Sequence, residues 1–313
     1  VKQQNGMFKS RWQYIETINS QVSVTYKHSW NDNHFLDVFA GFETYKINQP
    51  GVSYGGTPTM KALKVAYFDE LTGFSEWNEN TQARLGYMGR INYDYKHRYL
   101  LELAARYDGS WKFPPHHRWG FFPSVSAGWR VSEEKFWQNC DVSKYIDNLK
   151  LRISYGVMGD DNVSGYSAFD YLSGYNYNTG AAVMDGAVIE TSSVRSLPVT
   201  NISWLKAKTF DIGIDVAFLK NRLTGTVDYF QRKRTGLPAS RYDVVVPSEI
   251  GFSWPVENLN SDLVRGIDAQ LTWQDKVGDF NYSVGGNITL ARSYNWEQYK
   301  PTFSNSRDYY VYN

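Results

Sequence analysis

Apolar and polar residues alternate along most of this chain. Over 99–108, Tyr99, Leu101, Leu103, Ala105 and Tyr107 fall on one side, and Glu102, Ala104, Arg106 and Asp108 on the other. A period of two marks a strand with one apolar face. The same pattern runs through 149–158, 210–218, 266–273 and 280–290. Weaker versions lie at 22–30, 35–45, 83–95, 123–131 and 222–232, so about ten strands are predicted. Helix signals are few. The best places Ser132 as the cap of a turn or two over Glu133–Trp137.

The connections sort by length. Asn31–Asn33, Lys96–Arg98, Lys220–Asn221 and Asp275–Gly278 are tight, and the link 132–147 takes a tight-turn place in the count. The stretches 47–79, 159–203 and 236–263 are long, and 109–119 is intermediate. Along an antiparallel meander this order puts every long loop at one end of the sheet and every tighter link at the other. Outer-membrane barrels sort their loops this way, with tight turns on the periplasmic side. Loops this long are too long to be mere connectors in a compact domain, which marks them as functional.

The strand faces differ in chemistry. One is Leu, Ile, Val, Phe, Tyr and Trp. The other mixes Gly and Ser with Arg90, Asp94, Glu102, Arg106, Arg130, Arg152, Asp211, Asp215, Asp228 and Asp268. A soluble sandwich would bury the apolar face, whereas a barrel in lipid turns it outward and keeps the charged face in a hydrated lumen. Alternation alone does not separate the two. Loop sorting, aromatics near strand ends (Trp30, Tyr45, Tyr95, Tyr99, Trp129, Trp204, Trp273) and long strand runs favour the barrel.

Composition narrows this further. Length, 313 residues, allows two ordinary domains or one large all-β domain. Lys and Arg number 33 against 32 Asp and Glu, which leaves no positive excess for a nucleic-acid backbone. The longest charge-free stretches, 47–60 and 171–184, contain Gly and Asn and fall short of the ~18 apolar residues of a membrane helix. Aromatic residues make up 17% of the chain, an excess that interface belts or sugar-stacking surfaces would explain. Cys140 is the single cysteine, so no internal disulfide exists.

Several strings carry a family resemblance. They are Arg90-Ile91-Asn92-Tyr93-Asp94-Tyr95 with Arg98-Tyr99-Leu100-Leu101-Glu102 and Arg106-Tyr107-Asp108-Gly109-Ser110; Arg118-Trp119-Gly120-Phe121-Phe122-Pro123 through Arg130 with Ser132-Glu133-Glu134; Leu149-Lys150-Leu151-Arg152-Ile153-Ser154-Tyr155-Gly156; and Asp228-Tyr229-Phe230. As an ordered set over roughly 20–292 they resemble the SusC/RagA family of TonB-linked outer-membrane transporters. The resemblance implies an all-β antiparallel transmembrane β-barrel, about ten of whose 22 strands are present here. It implies energised import of oligosaccharides or peptides and a SusD-like surface lipoprotein as a lid over the loops. It further implies contact with TonB through an N-terminal region, and is compatible with a homodimer of the transporter–lipoprotein pair. Nothing here matches the family's plug, and the family's barrel continues past the equivalent of 292. Residues 1–313 are therefore expected to be part of a single outer-membrane β-barrel domain, with the plug and the C-terminal strands lying outside them.

Catalytic and metal motifs are weak. Gly51-Val52-Ser53-Tyr54-Gly55 fits the nucleophile-elbow string but lacks a following helix, since Gly56-Thr57-Pro58 comes next. Asp160, Asn162 and Ser164 with Gly165 resemble the first half of a calcium loop, yet Tyr171 stands where the bidentate carboxylate belongs. His116 and His117 are adjacent and point apart on an extended chain. No catalytic role, no metal and no cofactor are expected. The ligand candidates are loop aromatics, Trp77, Trp111, Trp119, Tyr175, Tyr177 and Trp254, whose flat faces pack on sugar C–H faces or on peptide side chains. The rival readings are a passive porin-like or secretion barrel without a plug, a soluble β-sandwich that binds glycans, and an outer-membrane enzyme.

Overall fold

The computed structural model describes residues 8–31, 33–56, 73–77, 81–162, 168–195, 197–241 and 254–299. The strands are β1 (Phe8–Gln13), β2 (Glu16–Trp30), β3 (His34–Asn48), β4 (Gly51–Gly56), β5 (Gly73–Trp77), β6 (Gln82–Tyr95), β7 (Tyr99–Ser110), β8 (Trp119–Arg130) and β9 (Ile146–Asp160). They continue as β10 (Tyr175–Met184), β11 (Ala187–Val194), β12 (Leu205–Phe218), β13 (Leu223–Ser240), β14 (Val256–Val277) and β15 (Phe280–Glu297). Ten of them form one sheet in the order β15-β14-β13-β12-β9-β8-β7-β6-β3-β2. These ten correspond one for one to the ten alternating stretches. No described helix is long and apolar enough to cross a membrane.

The chain divides into two compact units, Val1–Ser23 with Gly41–Tyr87, and Val24–Ala40 with Met88–Asn313. In the first, β1, β4 and β5 form a three-stranded sheet. Ser53 lies inside β4, opposite Arg11 and Ser75, so the nucleophile-elbow string is plain strand. The second unit holds most of the large sheet and the two-stranded β10–β11 hairpin, closed by Asp185 and Gly186 at positive φ as a tight hairpin turn requires.

Alternation underestimates strand length. β13 and β14 pair from Leu223↔Trp273 as far as Ser240↔Val256, so the loop expected at 236–263 shrinks to 241–255. The extra pairs include Asn258, Asn260, Ser261 and Asp262, and two register shifts interrupt them near Thr235–Pro238. A ladder that is polar on both sides shows no period of two, so only its backbone hydrogen bonds reveal it. The stretch 159–203 likewise hides β10 and β11.

Among the described residues no second layer covers the apolar face of the sheet. Leu103 (43%), Ile153 (45%), Ile212 (47%), Ile267 (48%) and Leu290 (63%) are solvent-accessible to these fractions. Leaving such side chains half in water forgoes roughly half of the ~1.5–3 kcal/mol that full burial of each would supply. Across neighbouring strands that makes a continuous apolar surface, which needs an apolar solvent rather than water. The soluble β-sandwich therefore fails, because a sandwich buries this very face. Buried hydrophobic residues are few among those described. Their one cluster, Phe113, Phe122, Val199, Ile202 and Trp204, gathers where β7, β8, β9 and β12 meet their longer connections.

The tight-turn end is laced together. Lys96 N–H donates to Asn33 O (2.6 Å), Arg130 N–H to Arg98 O (2.8 Å), and Gln274 N–H to Arg222 O (2.8 Å). Ser132 does not cap a helix as expected. A 3₁₀ turn over Val131–Glu133 precedes α1 (Lys135–Gln138), whose cap position is Glu134, and the Ser132 hydroxyl bonds Asn148 Oδ1 at 3.2 Å. The Glu134 carboxylate is engaged elsewhere, as described below.

Candidate functional site: a charged wall and a packed loop end

Residues paired across antiparallel strands point to the same side. The polar face therefore reads as rows. One row runs Leu100, Gly128, Arg152, Gly213, Asp228, Asp268 across β7 to β14. Arg152 grips Asp215 with two bonds, Nε to Oδ2 at 2.9 Å and Nη2 to Oδ1 at 2.8 Å. Its Nη2 also reaches Asp228 Oδ1 at 2.9 Å, passing over β12. Gly213 makes that reach feasible. A Cβ there would lie 1.9 Å from Asp228 Oδ1 and 2.9 Å from Arg152 Nη2. Asp228 and Asp268 face each other directly, a like-charge pair that Arg152 relieves on one side. Asp268 Oδ1 is enclosed with no hydrogen-bond partner among the described residues.

The expected lumen residues occupy this face. Asp94, Glu102, Arg152 and Asp211 line a hollow of about 470 Å³ together with Asn92 and Lys150. Glu102 and Arg106 line a second hollow of about 660 Å³ with Asp108 and Thr209. Arg106 clamps Asp108 through Nε (3.1 Å) and Nη2 (3.0 Å). Asp94 accepts from His97 at 2.7 Å, and Arg90 stands over the Phe39 ring at 5.9 Å. Arg130 ends β8 opposite Lys150. This is a face of fixed, mostly compensated charge. Among the described residues no three metal-ligating side chains converge.

The longer connections pack against one another through the buried cluster. Pro123 lies inside β8, paired with Ala105 of β7, but has no N–H to donate, and the β8–β9 register begins only at Ser124↔Gly156. Phe122 then leans over the strand, its ring where a Cβ on Gly120 or Gly159 would sit (2.3 and 2.0 Å). Trp204 packs on Phe122 and Phe113 at 5.2 and 5.3 Å and donates Nε1–H to Arg118 O at 3.0 Å. The fully buried Ser110 hydroxyl donates to Asp161 Oδ2 at 2.7 Å, and Lys112 Nζ donates to Asp161 O at 3.2 Å. Asp160 Oδ1 accepts Asn162 N–H at 2.8 Å, a turn of its own making, while Ser164 and Gly165 lie outside the described residues. Sequence reading missed this cluster. Its one legible signal is the pair of glycines flanking Phe122 in space, and Gly159 is remote from it in the chain.

The six loop aromatics separate. Trp111 meets the edge of Phe169 at 5.4 Å, and Phe169 holds a left-handed backbone (φ 66°). The Trp111 Nε1–H is enclosed without a partner among the described residues. Tyr175 and Tyr177 stand out on β10, 63% and 80% exposed. Trp254 donates to Glu257 Oε1 at 3.0 Å. Trp119 stacks on Tyr107 at 4.8 Å, and the pair shares the apolar face. Trp77 ends β5 opposite Gly51.

At the opposite end a carboxylate gathers three donors. Tyr99 Oη–H and Trp129 Nε1–H reach Glu134 Oε1 at 2.6 and 3.2 Å, and Arg98 Nη1 reaches Oε2 at 3.5 Å. The Tyr99 bond, then the Trp129 bond, hold the Glu134 carboxyl below its ordinary 4.5.

Known proteins share this architecture. The family described as TonB dependent receptor-like, beta-barrel matches residues 3–312. The TonB-dependent receptor SusC of Bacteroides thetaiotaomicron is 30% identical over 96% of this chain and 29% of its own length. A TonB-dependent receptor of Formosa agariphila is 28% identical over 85% of this chain and 25% of its own length. This chain thus spans under a third of these relatives. A structure of the RagAB peptide importer in its open-open state superposes with a TM-score of 0.75 at 20% identity, covering 96% of this chain and 32% of that one, and so shares the fold. With a lipid-ready apolar face, a charged opposite face, sorted connections and this match over nearly its whole length, the chain belongs to the TonB-dependent receptor β-barrel family of the outer membrane.

Proposed function

We propose that residues 1–313 form part of the wall and outward loops of a TonB-dependent importer of oligosaccharides or peptides, without a catalytic role. The observation that carries this reading is the pairing of an uncovered apolar face with an opposite face of anchored charges and hollows. That is the arrangement of a hydrated lumen in lipid. β2 and β15 end the sheet. An open edge is not tolerated in lipid, so both pair with further strands of one barrel domain. Solute class is left between glycan and peptide. SusC and the RagAB peptide importer stand as relatives, and exposed Tyr175 and Tyr177, with Trp111 and Trp254, suit either. A SusD-like lipoprotein over the loops and TonB at the other side complete the machine, which works singly or as a pair of transporter–lipoprotein units.

The test is uptake by cells carrying the full-length transporter, offered fluorescent oligosaccharides and fluorescent peptides of matched size. One class enters, and entry stops when the proton gradient is collapsed. Uptake that continues after collapse would replace this reading with a passive pore.

A further inference from the structure

We infer that the apolar face carries a seat for one phospholipid of the leaflet at the tight-turn end. This rests on the reading of the sheet as a wall in lipid.

Two adjacent rows on that face build the seat. One runs Leu101, Ala127, Ile153, Ile212, Tyr229 across five strands. The next, nearer the tight turns, runs Tyr99, Trp129, Leu151, Ile214, Val227. Ala127 is the one small side chain in either row. Large neighbours surround it, Leu101 and Ile153 across the sheet and Val125 and Trp129 along β8. The result is a hollow of about 770 Å³ lined almost wholly by apolar side chains. Ligand pockets run about 300–1,000 Å³, so this is more than the ripple between ordinary side chains. An acyl chain fits its chemistry, and water does not.

The hollow has a polar mouth at the tight-turn end. Tyr99 and Trp129 line it and turn their polar atoms to Glu134. The Tyr99 ring stacks near Tyr95 (6.2 Å), and Lys96 Nζ stands 5.0 Å over that ring. Lys135 follows Glu134 directly. Arg98 and Glu134 satisfy each other, whereas Lys96 and Lys135 have no carboxylate within ion-pair distance among the described residues. The Lys96 ammonium, resting on the Tyr95 ring without an ion-pair partner among the described residues, and the exposed Lys135 next to Glu134 in the chain supply positive charge that matches a lipid phosphate above its chains. The adjoining link agrees, since Phe136, 6.4 Å from the Trp129 ring, is exposed, as are Val142 and Tyr145. Exposed aromatics beside lysines on a short link are what an interfacial segment presents.

The test uses the full-length transporter, purified in detergent, stripped of lipid and titrated with dioleoyl phosphatidylglycerol under native mass spectrometry. The wild type should retain one lipid at saturation. Ala127→Trp fills the hollow and should weaken binding about tenfold, the effect of excluding two chain methylenes. Ala127→Leu, a milder change, should weaken it less, and the heat-dependent gel shift confirms that both are folded. Lys96→Gln with Lys135→Gln should weaken phosphatidylglycerol retention while leaving the gel shift unchanged. Gly286→Leu adds bulk to the same face beside Leu271, in open space away from the hollow, and should bind like the wild type. Equal binding by folded Ala127→Trp, equal loss in Gly286→Leu, or a protein dimer that Ala127→Trp dissociates would overturn the seat. A detergent-requiring wild type without a discrete lipid adduct would remove this inference alone. A wild type that stays folded and soluble without detergent would remove the barrel reading beneath it.

Discussion

At the scale of single residues, Gly213 shows what one missing side chain permits. Sequence alternation puts Arg152, Asp215 and Asp228 on one polar face. It does not say that a single guanidinium spans three strands to hold two carboxylates at 2.8–2.9 Å. That depends on Arg152, Gly213 and Asp228 falling in one row. Gly213→Ala would press a methyl against Asp228 and force the carboxylate off Arg152. The expected cost is about 1–3 kcal/mol, as for other overpacked sites, read as a lower midpoint of the heat-dependent gel shift. A midpoint equal to the wild type's would show that Asp228 leaves at no cost. The buried Ser110–Asp161 pair is similar in kind, since neither residue signals its partner, which lies on another strand's end.

At the scale of elements, the link from Val131 to Tyr145 takes its shape from Glu134 rather than from helix propensity. Its α-helical turn has four residues and no side-chain cap. The Glu134 carboxylate instead ties the link to the ends of β7 and β8 through Tyr99 and Trp129. A carboxyl held below its ordinary 4.5 binds fewer protons folded than unfolded. Its contribution is therefore complete above the unfolded value and fades as pH falls through the lower, folded one. Wild type should exceed Glu134→Gln in thermal midpoint at neutral pH, with the gap closing as pH falls below the ordinary carboxyl value. A gap that stays constant down to about pH 2 would mean that the carboxylate charge does not hold the link. The string Ser132-Glu133-Glu134 was legible as a family marker, but its role was not. A capping motif and a tertiary anchor use the same residue types.

At the scale of the whole molecule, the two faces make one prediction. In the full-length protein with Cys140 changed to Ser, cysteines placed along β7 should alternate in the membrane. Glu102→Cys should label with a water-soluble maleimide, whereas Leu103→Cys should resist it and be reached by a lipid-phase reagent. Equal aqueous labelling at both would contradict a wall in lipid. The ten strands, their two faces and the sorting of connections were all readable beforehand, because a strand's period of two is a property of its own residues. So was the family, since its strings lie in order along the chain. The extension of β13 and β14, the Arg152 bridge, the Phe122–Trp204 cluster and the hollow at Ala127 were not. Each is made by residues brought side by side from different strands. Alternation tells which side of the sheet a side chain occupies, but only register, set by backbone pairing between distant segments, decides which neighbours it meets there.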